Sequence, residues 1–163
     1  MNILESQFDD IYKSHYPKVI RLCLGYAGGD EAQAKDLAQE IFIKVWQNLQ
    51  SFRKESSMST WIYRITVNTC LISLRKKKTI DVSNHLNYIE SQNDSSNNED
   101  KEIKLNQLYS CINKLNKDNK SIILLELEGL PQKEIAEIMG LSHEAIRVRV
   151  HRIKNELTKC VKK

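Results

Sequence analysis

Arg147, Arg149, Arg152 and Lys154 crowd one short stretch of the chain, and from Ala145 to the C-terminus seven lysines and arginines face a single acid, Glu156. Guanidinium and ammonium groups at this density bind phosphates, and a guanidinium can also address the edge of a guanine. Nothing else in the chain suggests bond-breaking chemistry. There is no carboxylate cluster, no cysteine–histidine pairing and no glycine-rich phosphate loop, so an enzyme acting on DNA is not expected. Cys23, Cys70, Cys111 and Cys160 are scattered with no CxxC pair and sit in apolar-periodic stretches. They are expected to be core thiols and not metal ligands or disulfides. His15, His85, His143 and His151 show no ligand spacing with them. The expected chemistry is recognition of nucleic acid, with no catalytic residues, no cofactor and no metal.

The element that must position these cations runs from Leu130 to Lys154. Pro131 can open a helix, because its fixed φ suits the first turn. Ile135, Ala136, Ile138 and Met139 make the apolar stripe of two turns, with Ala136 small where helices cross closely. Gly140 then supplies a positive φ, and Ser142 can cap the next helix with its hydroxyl. In that second helix Ile146, Val150, Ile153 and Leu157 repeat at helical spacing and turn a dry face to the first. A helical hairpin with a solvated basic face shares some of these features. The combination of small residue, glycine, cap and basic helix points to a helix-turn-helix that binds DNA.

The chain of 163 residues has only five glycines and two prolines, too few turns for an all-β fold, so an all-α chain is expected. Its net charge of +4 is modest, so the case for nucleic acid rests on where the charge lies. The N-terminus has neither the basic nor the apolar region of a signal peptide, and no apolar run approaches a membrane span. A cytoplasmic protein with no membrane insertion is expected.

Three helices are expected ahead of a linker. Phe8, Ile11, Tyr12, His15, Tyr16, Val19, Ile20, Cys23 and Leu24 form the first pattern, which Pro17 should kink or split and which Gly25, Gly28 and Gly29 end. Asp30 caps the second, which runs to about Leu49 and buries Ala34, Leu37, Ala38, Ile41, Val45 and Leu49. Phe42, Ile43 and Trp46 fall on its other side among Asp36, Gln39 and Glu40. Either another segment covers them or they form a docking patch for a partner. After a polar loop from Ser51 with Phe52 as anchor, Ser59 or Thr60 caps a third helix from about Thr60 to Lys78. Its last residues, Arg75 to Lys78, are four cations. Such a run is often a solvated terminus, yet aromatics beside a polar loop on a helix ending in cations also describe a platform for single-stranded nucleic acid.

Composition changes at Thr79. From there to Ile103 six acids (Asp81, Glu90, Asp94, Glu99, Asp100 and Glu102) meet only Lys101, in a stretch expected to be a flexible acidic linker. Order resumes near Lys104, with one helix on Leu105, Leu108, Tyr109, Ile112 and Leu115 and another, after Asn116, on Ile122, Ile123, Leu125 and Leu127. The expected organisation is two small helical domains, 1–78 and 104–163, joined by linker 79–103. The second is a four-helix domain containing the helix-turn-helix.

Three stretches resemble those of one family, in its order. DLAQEIFIKVW (Asp36 to Trp46) looks like the region 2 signature of the extracytoplasmic-function (ECF) sigma factors, small bacterial members of the sigma-70 family. FRKESSMSTWIYRITVN (Phe52 to Asn68) looks like the family's promoter-melting and −10-reading segment, and LPQKEIAEIMGLSHEAIRVRVHRIK like its region 4. The resemblance implies a sigma factor that binds core RNA polymerase, recognises −10 and −35 elements and promotes melting to initiate transcription. Asp36, Gln39, Glu40, Phe42 and Trp46 would contact the polymerase, which decides the patch in favour of docking. Arg53, Lys54, Ser59, Thr60, Trp61, Arg64, Asn68 and Arg75 would meet the melted −10 element, with a flipped base held by the loop and Trp61. Ser142, His143, Glu144, Arg147, Arg149 and Arg152 would meet double-stranded DNA at −35. An anti-sigma factor is a further implied partner. Many members carry Asp four residues after the equivalent of Asn68, where this chain has Ile72, so the family's −10 base preference does not carry over. The rival reading is a helix-turn-helix regulator with an N-terminal sensing or dimerisation domain, which would bind a palindromic operator without polymerase.

Overall fold

A computed structural model of the chain describes residues 2–80 and 96–162. Within these residues the chain is helical and without strands, in seven α-helices. In order they are α1 (Ile3–Tyr26), α2 (Glu31–Asn48), α3 (Met58–Ile80), α4 (Ser96–Asn113), α5 (Lys117–Leu127), α6 (Gln132–Met139) and α7 (His143–Lys162). A short 3-10 turn, Leu49–Ser51, follows α2.

Helix α1 runs unbroken through Pro17, so the split allowed for at that residue does not occur. Pro17 is exposed, as is Lys13 one turn earlier, so the carbonyl deprived of its partner faces water. Gly25 does not end the helix but lies in its last turn, against α5. A Cβ there would collide with the Leu124 side chain, so glycine is what lets the two helices approach. The reversal comes at Gly28 and Gly29, at φ 64° and 93°. Asp30 then caps α2 by accepting from the Gln33 N–H at 3.1 Å. As the spacing predicts, Ala34, Leu37, Ala38, Ile41 and Val45 are buried.

The cap of α3 is neither Ser59 nor Thr60. Ser57 accepts from the Thr60 N–H at 3.1 Å, and the helix begins at Met58. Most of the expected linker, including Asp81, Glu90 and Asp94, lies outside the described residues. Its last part, from Ser96, belongs to α4, so order resumes before Lys104. Leu115 falls past the end of α4.

In α5 the buried run is Lys120 to Leu125, while Leu127, expected in the core, is 53% exposed. Burial all around α5 follows from its position, with α1 on one side and α6 and α7 on the other. Helices α6 and α7 meet as the sequence predicts, with Gly140 left-handed at φ 70° and the Ser142 hydroxyl accepting from the Ala145 N–H. Pro131 stands one position earlier than a first-turn proline, at the N-cap of α6.

The two helical groups, α1 to α3 and α4 to α7, share one apolar core. The Tyr26 hydroxyl donates to Ser121, Arg21 pairs with Glu128 at 2.8 Å, and the Lys120 ammonium donates to the Tyr26 carbonyl at 3.4 Å. Burial raises the Tyr26 hydroxyl well above the usual tyrosine range, so it remains a donor.

The four cysteines divide into two pairs. Cys23 of α1 and Cys70 of α3 are buried free thiols 4.0 Å apart, as expected of core residues. Cys111 of α4 and Cys160 of α7 instead form a disulfide, which corrects the expectation of four thiols. Forty-nine residues separate them, and only the packing of α4 on α7 brings their Cα atoms to 6.0 Å.

Candidate partner and nucleic-acid interfaces

Three surfaces carry the exposed aromatic and basic residues. The first is an open groove of about 450 Å³ between α1 and α2, walled by Phe8, Tyr12, Tyr16, Phe42, Ile43 and Trp46. Helical spacing puts Phe8, Tyr12 and Tyr16 on one face of α1 and Phe42 and Trp46 on one face of α2, and the two faces meet edge to face. Phe8 lies 5.3 Å from Trp46 and Tyr12 4.8 Å from Phe42, centroid to centroid. Phe42 is only 4% exposed, so it is the floor of the groove and not part of an outer patch. The sequence offered a covering segment and a docking patch as alternatives, and each describes part of the site. Helix α1 covers Phe42, while Trp46 and Ile43 remain 39% and 49% exposed. Gln39 stands on the rim, and Asp36 and Glu40 are exposed nearby, Glu40 within 3.6 Å of the Lys44 ammonium.

The second surface is a stripe on α3. Trp61, Arg64, Asn68, Ile72 and Arg75 recur every three or four residues and therefore share one face. Trp61 is half-buried on Phe52, with ring centroids 4.9 Å apart, which fixes the indole while leaving part of it open. Arg64, Asn68, Ile72 and Arg75 are exposed. Beside them Arg53 and Lys54 are exposed in the loop, Lys54 at a left-handed φ of 58°. Two residues expected here serve the fold instead. Thr60 is 1% exposed and its hydroxyl bonds Ser57, while Ser59 faces α1, bonded to His15 Nε2 at 3.0 Å. His15 Nδ1 donates to the Ile11 carbonyl, and in the neutral ring that leaves Nε2 to accept from Ser59. Next to them burial pushes the Tyr63 hydroxyl up to about 12.

The third surface is the outer side of α7, where Glu144, Val148, His151 and Arg152 point away from the buried Ile146, Val150 and Ile153. Arg147 is exposed at its edge, 3.9 Å from Glu144. His143, the first helical residue, is exposed too, and Ser142 has its hydroxyl committed to the cap. Arg149 is half-buried on the flank, a poorer position than the sequence assigned it. Lys154 is drawn aside to Glu126 of α5 at 3.3 Å, so it braces the domain. Counting cations alone missed Val148, which is 41% exposed, and His151. Their positions opposite Ile146 and Val150 were available as a signal.

The second and third surfaces are not independent in this arrangement. The Arg64 guanidinium donates to the Glu137 carbonyl of α6 at 2.8 and 3.3 Å. Ser57, Ser59 and Thr60 face Pro131, Lys133, Glu134 and Glu137 across a shallow cleft. No helix of the described residues is long and apolar enough to cross a membrane.

Comparison with known proteins agrees with this layout. Residues 11–80 match sigma-70 region 2, and residues 105–157 match sigma-70, region 4. The first match runs from within α1 to the end of α3, with the stripe and all of the groove but Phe8, and the second spans the helix-turn-helix. The chain is 32% identical to the ECF RNA polymerase sigma-E factor of Haemophilus influenzae, over 89% of this chain and 82% of that one. It is 30% identical to the RNA polymerase sigma factor YlaC of Bacillus subtilis, over 93% and 90%. Among solved structures, the sigma factor RpoE of Bartonella quintana, in complex with the anti-sigma factor NepR, superposes with a TM-score of 0.71 at 24% identity, covering 96% of this chain and 97% of that one. CnrH, in complex with the cytosolic domain of CnrY, gives 0.73 at 19% identity, covering 97% and 89%. At these identities the two structures establish the fold, and the sequence relatives establish the family. The chain belongs to the ECF sigma factors of the sigma-70 family, the factors that direct RNA polymerase to initiate transcription.

Proposed function

We propose that the chain docks on core RNA polymerase through the α1–α2 groove and its acidic rim. It reads the −10 element with the α3 stripe and the −35 element with the outer face of α7. The observation that carries this reading is that one chain presents two differently built exposed surfaces, an aromatic and basic stripe on α3 and a basic outer face on α7. A helix with Arg147, Val148, His151 and Arg152 outward suits the major groove of intact duplex, where guanidinium groups meet guanines and an apolar side chain meets the thymine methyl. An indole half-seated on Phe52, beside Arg53, Lys54 and Arg64, suits a base already out of the stack. Asn68 and Arg75 extend that surface along the strand, and the groove with Trp46 at its mouth is the aromatic anchor of a protein interface.

Both elements cannot be read from the closed arrangement. Sites centred about 25 base pairs apart lie roughly 85 Å apart along B-DNA. A compact chain of this length is only about 40 Å across. Binding to polymerase therefore separates α6 and α7 from α3 and frees Arg64 from Glu137. A partner that bridges the two domains while they are together, such as an anti-sigma factor, would keep the chain inactive. The reading places the chain in the cytoplasm, with polymerase and chromosome, and assigns it no enzymatic activity. A helix-turn-helix regulator with a sensing domain is not favoured, since the first domain matches sigma-70 region 2.

Run-off transcription with core polymerase on fragmented genomic DNA tests the proposal. Discrete transcripts that require both core and this chain are expected. Sequence-specific binding to a palindrome without polymerase, and no transcript, would overturn it.

A further inference from the structure

We propose that Cys111 and Cys160 are a reversible thiol-oxidation site, and that closing their disulfide makes α4 and α7 one covalent unit, so that α7 cannot leave α1 to α3 without taking α4 with it. A disulfide in the compartment where polymerase works is a transient or sensing bond, because that compartment is reducing. The two cysteine pairs are placed for opposite fates. Cys23 and Cys70 are fully buried, and the hydrogen bond between their sulfurs, together with burial, keeps the Cys70 thiol protonated and unreactive. Cys160 is only half-buried, in the last turn of α7, where an oxidant can reach it. Cys111 is buried against it and acts as the resolving partner.

With hydrogen peroxide as oxidant, the Cys160 thiolate attacks one oxygen. An S–O bond forms, the O–O bond breaks and hydroxide leaves as water after taking up a proton. Cys111 sulfur then attacks the Cys160 sulfenic acid, forming the S–S bond as the S–O bond breaks and a second water departs. Two thiols lose two electrons and two protons, and one peroxide becomes two waters. A dithiol reverses the bond by exchange.

The consequence follows from how α4 is held. Ile103 and Leu105 are 55% and 47% exposed, so its N-terminal turns bury little. Its hold on the first domain lies at its other end, where Tyr109 and Asn113 lie over Gly29 and Gly28, close enough that a Cβ added at either glycine would meet them. Asn113 also accepts from Lys120, which itself bonds the Tyr26 carbonyl. With α4 seated on α1 in this way, the disulfide fastens its opposite side to α7. Oxidation thereby obliges the −35 helix to carry α4 off α1 when it leaves the first helices, and reduction leaves α4 on α7 to non-covalent contacts alone.

The test uses the full chain, reduced and then exposed to hydrogen peroxide. The free-thiol count should fall from four to two, with one cross-linked peptide joining Cys111 and Cys160. Amide exchange across residues 99–113 should slow on the order of tenfold on oxidation. Core-dependent transcription should fall several-fold and return with dithiothreitol. Cys160→Ser should transcribe like the reduced parent and ignore peroxide, and Cys111→Ala, a second variant in case the first misfolds, should do the same. Four thiols surviving peroxide, a Cys23–Cys70 cross-link in place of the expected one, or identical exchange and transcription in both redox states would overturn the proposal. Only the transcription arm rests on the function proposed above. If neither redox state supports transcription, that function fails, while thiol count and exchange still decide the disulfide.

Discussion

Phe42 and Trp46 stand one turn apart on the same helix and should nevertheless fail in different ways. Phe42 is sealed under Phe8, Tyr12 and Tyr16, so Phe42→Ala removes a buried ring and should cost about 3–5 kcal/mol of folding stability. Trp46 stands at the groove mouth, 39% exposed, and Trp46→Ala should leave most of the fold's stability in place while weakening core-polymerase binding by about 2 kcal/mol or more. Thermal melting paired with a core-binding titration separates the two, and parental affinity in Trp46→Ala would remove the groove from the interface. The sequence showed both aromatic ladders, because each keeps helical spacing. It did not show that they face each other, so Phe42 read as an outer residue when it is a floor. Ser59 and Thr60 were misread for a related reason. Spacing placed both near the start of α3, but only the fold shows one turned to His15 and the other buried beside Ser57.

At the level of elements, the proposed roles give α3 and α7 different chemistry toward DNA. Arg147→Ala should reduce use of promoters in a −35-dependent way, with a discrimination loss of about 1–3 kcal/mol. Arg149→Ala should do less, since that side chain lies half-buried on the flank. Val148→Ser should shift preference at a thymine whose methyl the valine meets. Transcription from a library randomised at −35 reads all three, and equal losses from Arg147 and Arg149 would mean that α7 docks in another rotation. The start of α2, the end of α6 and the start of α7 were legible, because Asp30, Gly140 and Ser142 each solve a local problem of unpaired groups or positive φ. The start of α4 was not, since Ser96 to Glu102 has a polar composition without a clear period, and a helix there is weakly encoded.

For the whole molecule, a break in composition stands between the two helical groups, but their shared core was not legible, because nothing local announces that Gly25 admits Leu124 or that Tyr26 meets Ser121. The same holds for Cys111 and Cys160, far apart in sequence and joined only by packing. The account requires that this closed arrangement open on polymerase. Dyes placed at the exposed positions Gln47 of α2 and Lys159 of α7 should show high transfer in the free chain and a marked loss when core polymerase is added. Unchanged transfer in a transcribing complex would refute the opening. The central claim, that one chain both reads duplex and holds melted DNA, is tested most directly by permanganate footprinting, which reports unpaired thymines. Core polymerase with the parent chain should expose thymines around −10 on a duplex promoter. Trp61→Ala should leave polymerase bound upstream while losing that reactivity, at a cost of roughly 1–3 kcal/mol, and a template already melted around −10 should restore transcription. Equal opening by Trp61→Ala and parent at matched occupancy would contradict the account and leave Trp61 as a packing residue on Phe52.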